Sequence, residues 1–161
     1  MVIKMKHTIV ATVDNIPGVV SRISGLFTRR GYNIEGLVTS VTDNERIYHL
    51  TITVIGTDEE LEQIINQLEH VSEVIEVYEL DHTTPHVTRE MMFLKLSAMP
   101  ENTEELVSLC EELKCRVIGL GGRSAVIEVT GEPERLDEIK ERFRPFGIIA
   151  VARSGAMSML I

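Results

Sequence analysis

The residue types that could do chemistry are concentrated in one short run, Asn15-Ile16-Pro17-Gly18, set just ahead of an apolar helical pattern that begins at Val19. Gly18 lets a ligand approach the backbone without a Cβ in the way. The unpaired N–H groups at the head of the following helix suit an anion, and Asn15 supplies both an amide oxygen and an NH2 group. Donors and acceptors side by side fit a free amino acid, which carries a carboxylate and an ammonium on one carbon. The helix terminus alone contributes ~0.3–1 kcal/mol when exposed and up to ~2 kcal/mol when partly buried, so further contacts are needed. On spacing alone the simpler reading has the edge: a tight turn with Asn15 as helix cap and Pro17 at the first helical position.

The other reactive side chains form no recognisable set. The five histidines are His7, His49, His70, His82 and His86. His82 and His86 have i, i+4 spacing, but on a Pro-containing stretch without a nearby Cys, which reads as a solvated linker rather than a metal site. Cys110 and Cys115 make no Cys-x-x-Cys pair and are expected to be reduced and structural. No phosphate-binding Gly-x-x-x-x-Gly-Lys-Ser/Thr run and no nucleophile-elbow sequence is present. Gly119, Gly121 and Gly122 fall in a hairpin rather than at a helix start.

The elements that must position the loop follow from periodicity. Residues 8–14 read as a β-branched strand that runs into it. Val19, Val20, Ile23, Leu26 and Phe27 make one helical stripe, and Gly31 stands at the expected stop after Arg29 and Arg30. Two strands, 33–42 and 46–55, flank Asp43-Asn44-Glu45 as a hairpin. Thr57 and Glu60 have capping-box spacing ahead of Leu61, Ile64, Ile65 and Leu68, and a last strand covers 74–80. The order β-α-β-β-α-β then recurs. It comprises a strand over 91–98 with exit Pro100-Glu101-Asn102, a helix with Leu106, Val107, Cys110 and Leu113, and a hairpin around Gly121-Gly122-Arg123. A helix opened by Pro133 and a strand over 148–152 complete it. Asn102 and Glu105 repeat the cap spacing. Met91 and Met92 read as strand packing.

The expected fold class is therefore α+β: two tandem ferredoxin-like βαββαβ domains, each four antiparallel strands with both helices on one face. Asp81-His82-Thr83-Thr84-Pro85-His86-Val87-Thr88 lacks hydrophobic periodicity, which places domains at 1–81 and 89–161 with a linker over 82–88. The first 81 residues carry 6 basic and 13 acidic groups and the rest 10 and 12, for a net charge of −9 over 161 residues. That acidity argues against nucleic-acid binding, which requires clustered Lys and Arg. RNA recognition modules share the topology, but 4% aromatic residues and no Trp cannot supply their stacking surface. An acylphosphatase-like enzyme would need an Arg in the loop after the first strand, and Asn15–Gly18 has none. No apolar run reaches the ~20 residues of a membrane span, and the amino end lacks a secretory pattern, so a soluble cytoplasmic protein is expected.

Asp14-Asn15-Ile16-Pro17-Gly18-Val19-Val20-Ser21-Arg22, followed by Gly31-Tyr32-Asn33-Ile34, resembles the signature of ACT domains, specifically those of the acetohydroxyacid (acetolactate) synthase small regulatory subunit. Arg89-Glu90 and Ala152-Arg153-Ser154-Gly155 also resemble that subunit, so the likeness spans nearly the whole chain. Over residues 97–123 only the pattern of elements agrees.

The resemblance implies a non-catalytic chain that activates a thiamine-diphosphate-dependent catalytic subunit and confers feedback inhibition by valine. It implies a homodimer with the effector between two ACT domains. Asn15 and Gly18, with Ile16, Pro17 and Val19, match the loop of one protomer; Asn33 and Ile34 match the contribution of the other. Thiamine diphosphate, Mg and FAD are expected only in the catalytic subunit. The strand over 33–42 is an edge in this topology and holds no Pro or Lys to block pairing with a second copy. Arg22, Arg29 and Arg30 form a basic strip, either a partner contact or a solvated helix face. Arg153 and Ser154 have no role derivable at this stage. Two other readings stay open: an independent amino-acid-sensing ACT protein serving another enzyme, and a small enzyme of ferredoxin-like fold.

Overall fold

A computed structural model describes residues 4–81, 83–98 and 102–161. The expectations for His82, Pro100 and Glu101 lie outside the described residues. The first half contains β1 (Met5–Asp14), α1 (Val19–Arg29), β2 (Ile34–Val41), β3 (Ile47–Gly56), α2 (Asp58–Glu69) and β4 (Val74–Leu80). The second contains β5 (His86–Ser97), α3 (Thr103–Leu113), β6 (Arg116–Gly121), β7 (Ser124–Gly131), α4 (Pro133–Phe143) and β8 (Ile148–Arg153), and a short strand β9 (Met157–Leu160) ends the chain. The strand orders β2-β3-β1-β4 and β6-β7-β5-β8 are those of two tandem ferredoxin-like units, with antiparallel neighbours throughout.

In the first unit Val19, Ile23 and Phe27 of α1 and Leu61, Ile64 and Leu68 of α2 pack on Ile9, Ala11, Val13, Leu50, Ile52 and Val54 of the sheet. Both helices obey their sequence signals at the ends that carry them. Thr57 and Glu60 exchange both capping-box hydrogen bonds at the head of α2, at 2.9 and 3.2 Å. At the end of α1, Gly31 takes φ 73°, its N–H donates to Thr28 O, and Tyr32 N–H donates to Phe27 O. That is the Schellman closure a left-handed C′ residue permits. In the second unit Pro133 opens α4 as expected, whereas Asn102 makes no side-chain cap on α3. Its backbone (φ −113°, ψ 3°) departs from the extended geometry that lets an N-cap side chain reach back.

Two expected boundaries shift. The described residues up to Val87 group with Met157–Ile161 as one compact unit, and Thr88–Ala156 form the other. The linker expected over 82–88 gives way to strand at His86, directly after Pro85, a position where a strand needs no N–H. Ahead of it Asp81 accepts from the backbone N–H and hydroxyl of both Thr83 and Thr84. Those bonds hold its carboxyl at about 2. His86 Nδ1 donates to Thr84 O at 2.7 Å.

The last five residues, expected to belong with 89–161, carry β9, which pairs with β5 and also packs on the outer face of the first sheet. That face is rich in hydroxyls, because register sets Ser40 beside His49, His49 beside Thr12, and Thr51 beside Val10. Ser158, 1% exposed, accepts at its carbonyl from His49 Nε2 (2.7 Å) and donates its N–H to Thr51 Oγ1 (3.2 Å). Ser40 Oγ donates to Met157 Sδ, and Ile161 N–H to Pro85 O. Sequence periodicity is blind to this strand because polar side chains, not an apolar stripe, receive it.

In the second unit, two segments from opposite ends of the unit meet. Arg153 forms a bidentate pair with Glu90 (2.6 and 2.8 Å), reaches Asp137 on α4 at 2.7 Å, and donates to Pro133 O. Ser154 and Met91 are joined twice, Met91 N–H to Ser154 Oγ and Ser154 N–H to Met91 O. Glu90 is only 6% exposed, so Arg153 supplies the charge that makes its burial tolerable.

Ending the chain at Ala156 should remove the bonds to His49, Thr51, Ser40 and Pro85 and the pairing on β5, and lower stability by about 2–6 kcal/mol for the four bonds at ~0.5–1.5 kcal/mol per bond. Faster amide exchange in β3, with β7 unchanged, would be the signature in a hydrogen-exchange measurement. Arg153→Ala should cost about 3–5 kcal/mol by stranding a buried carboxylate, and adding Glu90→Gln should recover part of that loss in chemical denaturation.

Candidate functional site

The loop singled out by sequence sits between the end of β1 and the head of α1. Its amino end is fastened to the β2–β3 hairpin: Asn15 N–H donates to Arg46 O at 2.8 Å and Asn15 Nδ2 to Glu45 O at 2.7 Å. The side chain of Asn15 thus spends one N–H on the hairpin, and among the described residues no donor takes up its amide oxygen. This corrects the alternative in which Asn15 caps the helix and Pro17 occupies its first position. The N-cap residue is Gly18, and the first helical residue is Val19.

Gly18 adopts φ 87°, a left-handed conformation that L side chains resist, while a Cβ there would meet no atom within 4 Å. The requirement for glycine is conformational, and the space beside it is open. No side chain caps α1, and no acidic residue stands in its first turn, unlike α2 with its capping box and three acids. Among the described residues no backbone carbonyl accepts from the N–H of Gly18, Val20 or Ser21, whereas Ile16 N–H reaches Asp14 O and Val19 N–H reaches Ile16 O. The head of α1 therefore leaves donors and the positive end of its dipole open to the surroundings.

These donors border a cleft of about 380 Å³ lined by Asn15, Ile16, Pro17, Gly18, Val19, Val20, Ser21 and Tyr48. Ile16 and Pro17 are exposed at its rim, and Val19 is buried in the core, leaving little of its side chain to face the cleft. Tyr48 escaped the sequence reading because it comes from β3, thirty residues away from the loop in the chain; hairpin register was the only signal that could have brought it near.

Asn33 and Ile34 are not part of this cleft. Asn33 is exposed just before β2 and donates to Glu35, and Ile34 pairs with Val54. The cleft lies at the other end of the same hairpin, where Val41 pairs with Tyr48. Val54 lies six positions beyond Tyr48 along β3, so the two ends are roughly 20 Å apart at ~3.3 Å per residue. One copy of the chain cannot bring both sets of residues to one ligand. β2 is an edge strand as expected, and Val41 at its end is 78% exposed.

The basic strip resolves into different roles. Arg22 pairs with Glu73, a nearly buried residue whose carbonyl also accepts from Asp14 N–H. The Ser72 hydroxyl, and with it Arg22, holds the Glu73 carboxyl below its ordinary value against the opposing pull of burial. Arg22 thereby pins the first turns of α1 to the start of β4 while its side chain stays more than half exposed. Arg29 and Arg30 remain exposed at the helix end.

Residues 9–76 match the family model described as AHAS small subunit-like ACT domain, and residues 89–160 match that of the small subunit of acetolactate synthase. A probable acetolactate synthase small subunit of Archaeoglobus fulgidus is 38% identical over 156 residues, covering 97% of both chains. Acetolactate synthase small subunit 2, chloroplastic, of Arabidopsis thaliana is 36% identical over 154 residues, 96% of this chain but 32% of that longer protein. Among solved structures, the acetolactate synthase small subunit from Thermotoga maritima superposes with a TM-score of 0.87 at 28% identity, over 98% of each chain. The chain belongs to the acetolactate synthase small-subunit family, and its first unit is the ACT domain of that family.

Proposed function

We propose that this chain is the regulatory, non-catalytic subunit of an acetolactate synthase, that it activates the catalytic subunit, and that it confers feedback inhibition by valine. The observation that carries the ligand half of this reading is the uncapped head of α1 opening on a cleft in an ACT unit. In it the effector carboxylate lies against the first-turn N–H groups of α1, and the ammonium lies against the Asn15 amide oxygen, the acceptor left after its N–H is used on Glu45 O.

The wide separation of Asn33 and Ile34 from the cleft supports a homodimer built on β2. Two edge strands paired about a two-fold axis run antiparallel, so the start of one β2 meets the end of the other. Asn33 and Ile34 of a second copy then arrive beside Asn15, Ile16, Pro17, Gly18 and Val19 of the first. The exposure of Val41 at that end fits a surface covered in the dimer. Occupancy favours one pairing geometry over another, and a coupling of ~1–3 kcal/mol between effector and partner is the usual size. The thiamine diphosphate, Mg and FAD of the holoenzyme belong in this reading to the catalytic subunit, and the complex is cytoplasmic. An ACT sensor serving another enzyme would share the cleft and differ only in its partner.

Reconstitution with purified catalytic subunit is the decisive assay. Turnover should rise on adding this chain and fall when valine is added; unchanged turnover and valine response would overturn the assignment. Gly18→Asp should lose at least tenfold in valine sensitivity while activation persists, because a carboxylate in the loop repels that of the effector. Gly18→Asn, isosteric and more tolerant of a left-handed backbone, should retain more of the response in the same titration and so separate charge from shape.

A further inference from the structure

We propose that Tyr48 determines which amino-acid side chain the cleft accepts, an inference that rests on the effector reading above. Seven of the eight lining residues are consecutive, from Asn15 to Ser21, and present backbone donors, an amide and short aliphatic groups. Tyr48 alone comes from another element and carries the only aromatic ring in the lining. A ring of that size supplies more apolar contact area than any other lining side chain.

Its position is fixed from several directions. β3 is an inner strand, and Tyr48 is held between Val13 of β1 and Val41 of β2. The half-buried ring packs against the core of the unit. The hairpin that carries it is tied to the effector loop by the two bonds from Asn15, so ring and donors keep a set separation. A ligand whose carboxylate is anchored on the α1 amides has a limited distance to that wall. With the loop fastened to the hairpin, neither side gives way to a longer side chain. Val41, cross-strand from Tyr48 and largely exposed, extends the apolar surface toward the sheet edge. A branched aliphatic side chain fits such a surface, whereas a longer or aromatic one is stopped by it. Discrimination of one methylene in an apolar pocket is about tenfold to two-hundredfold.

The test is calorimetric titration of the full chain and of Tyr48→Phe, Tyr48→Leu and Tyr48→Ala with valine, isoleucine, leucine and phenylalanine, with thermal melting as the check on folding. Tyr48→Phe should keep the order of preference, since the ring and not the hydroxyl forms the wall. Tyr48→Ala should shift the leucine-to-valine and phenylalanine-to-valine affinity ratios at least tenfold toward the larger ligand. Tyr48→Leu should do so to a smaller degree, and it serves as the reporter if the alanine variant does not fold. A uniform loss of affinity for all four ligands, or unchanged ratios, would overturn the role of Tyr48 while leaving the cleft as the effector site. Failure of the unaltered chain to bind any of the four would overturn the effector reading itself, and this inference with it.

Discussion

Gly18 begins α1 from a left-handed backbone, and much of the functional geometry depends on that one dihedral. A side-chain cap at this place would have satisfied the first-turn amides internally, as Thr57 does at the head of α2. With glycine there, Gly18, Val20 and Ser21 keep donors that no backbone carbonyl among the described residues takes up. Such groups are tolerable because the cleft is open to water, and they become useful when an anion replaces that water. Arg22, one turn further on, holds the helix to Glu73 and so keeps the head of α1 in place.

Much of the architecture was legible in the sequence because local rules and global fold agree. The stripe Val19, Ile23, Phe27, the Thr57–Glu60 box, the Gly31 stop and Pro133 at a helix start are each readable within a few residues and each appear in the structure. What escaped depends on contacts across long stretches of chain. Tyr48 reaches the cleft through hairpin register, Asn15 is diverted from capping by a carbonyl thirty residues on, and Arg153 is claimed by Glu90 at a separation of 63 residues. The closing strand β9 escaped for a different reason: besides pairing with β5 it binds through Ser158, His49 and Thr51, and bonds between backbone and polar side chains leave no period to read.

The two units share a topology and use it differently. In the first, polar residues on the outer sheet face receive the end of the chain, while the helix side opens a cleft beside α1. In the second, Arg153 from the last long strand crosses to Glu90 and to Asp137 on α4, closing strand and helix over a nearly buried carboxylate. A buried pair of this kind adds little net stability compared with an apolar replacement, yet it penalises any register that separates the charges. Ser154, bonded twice to Met91, fixes the same register from the backbone. The residues of the second unit that resemble the family at both ends of its sequence are thus the residues that lock its outer strand to its central one.

The hairpin β2–β3 connects the remaining pieces. One end carries Tyr48 and is bonded to the loop by Asn15; the other begins at Ile34, beside Asn33. Because the two ends are about 20 Å apart at ~3.3 Å per residue, an effector held at one end of a hairpin can contact the opposite end only of another copy. In the proposed dimer each hairpin therefore belongs to two sites at once, supplying a wall to its own cleft and Asn33 and Ile34 to its neighbour. An amino acid bound there bridges two edge strands, and its binding free energy enters directly into the pairing of the sheets. Linkage then requires the reverse as well: a catalytic partner that favours one pairing geometry must alter effector affinity by the same factor.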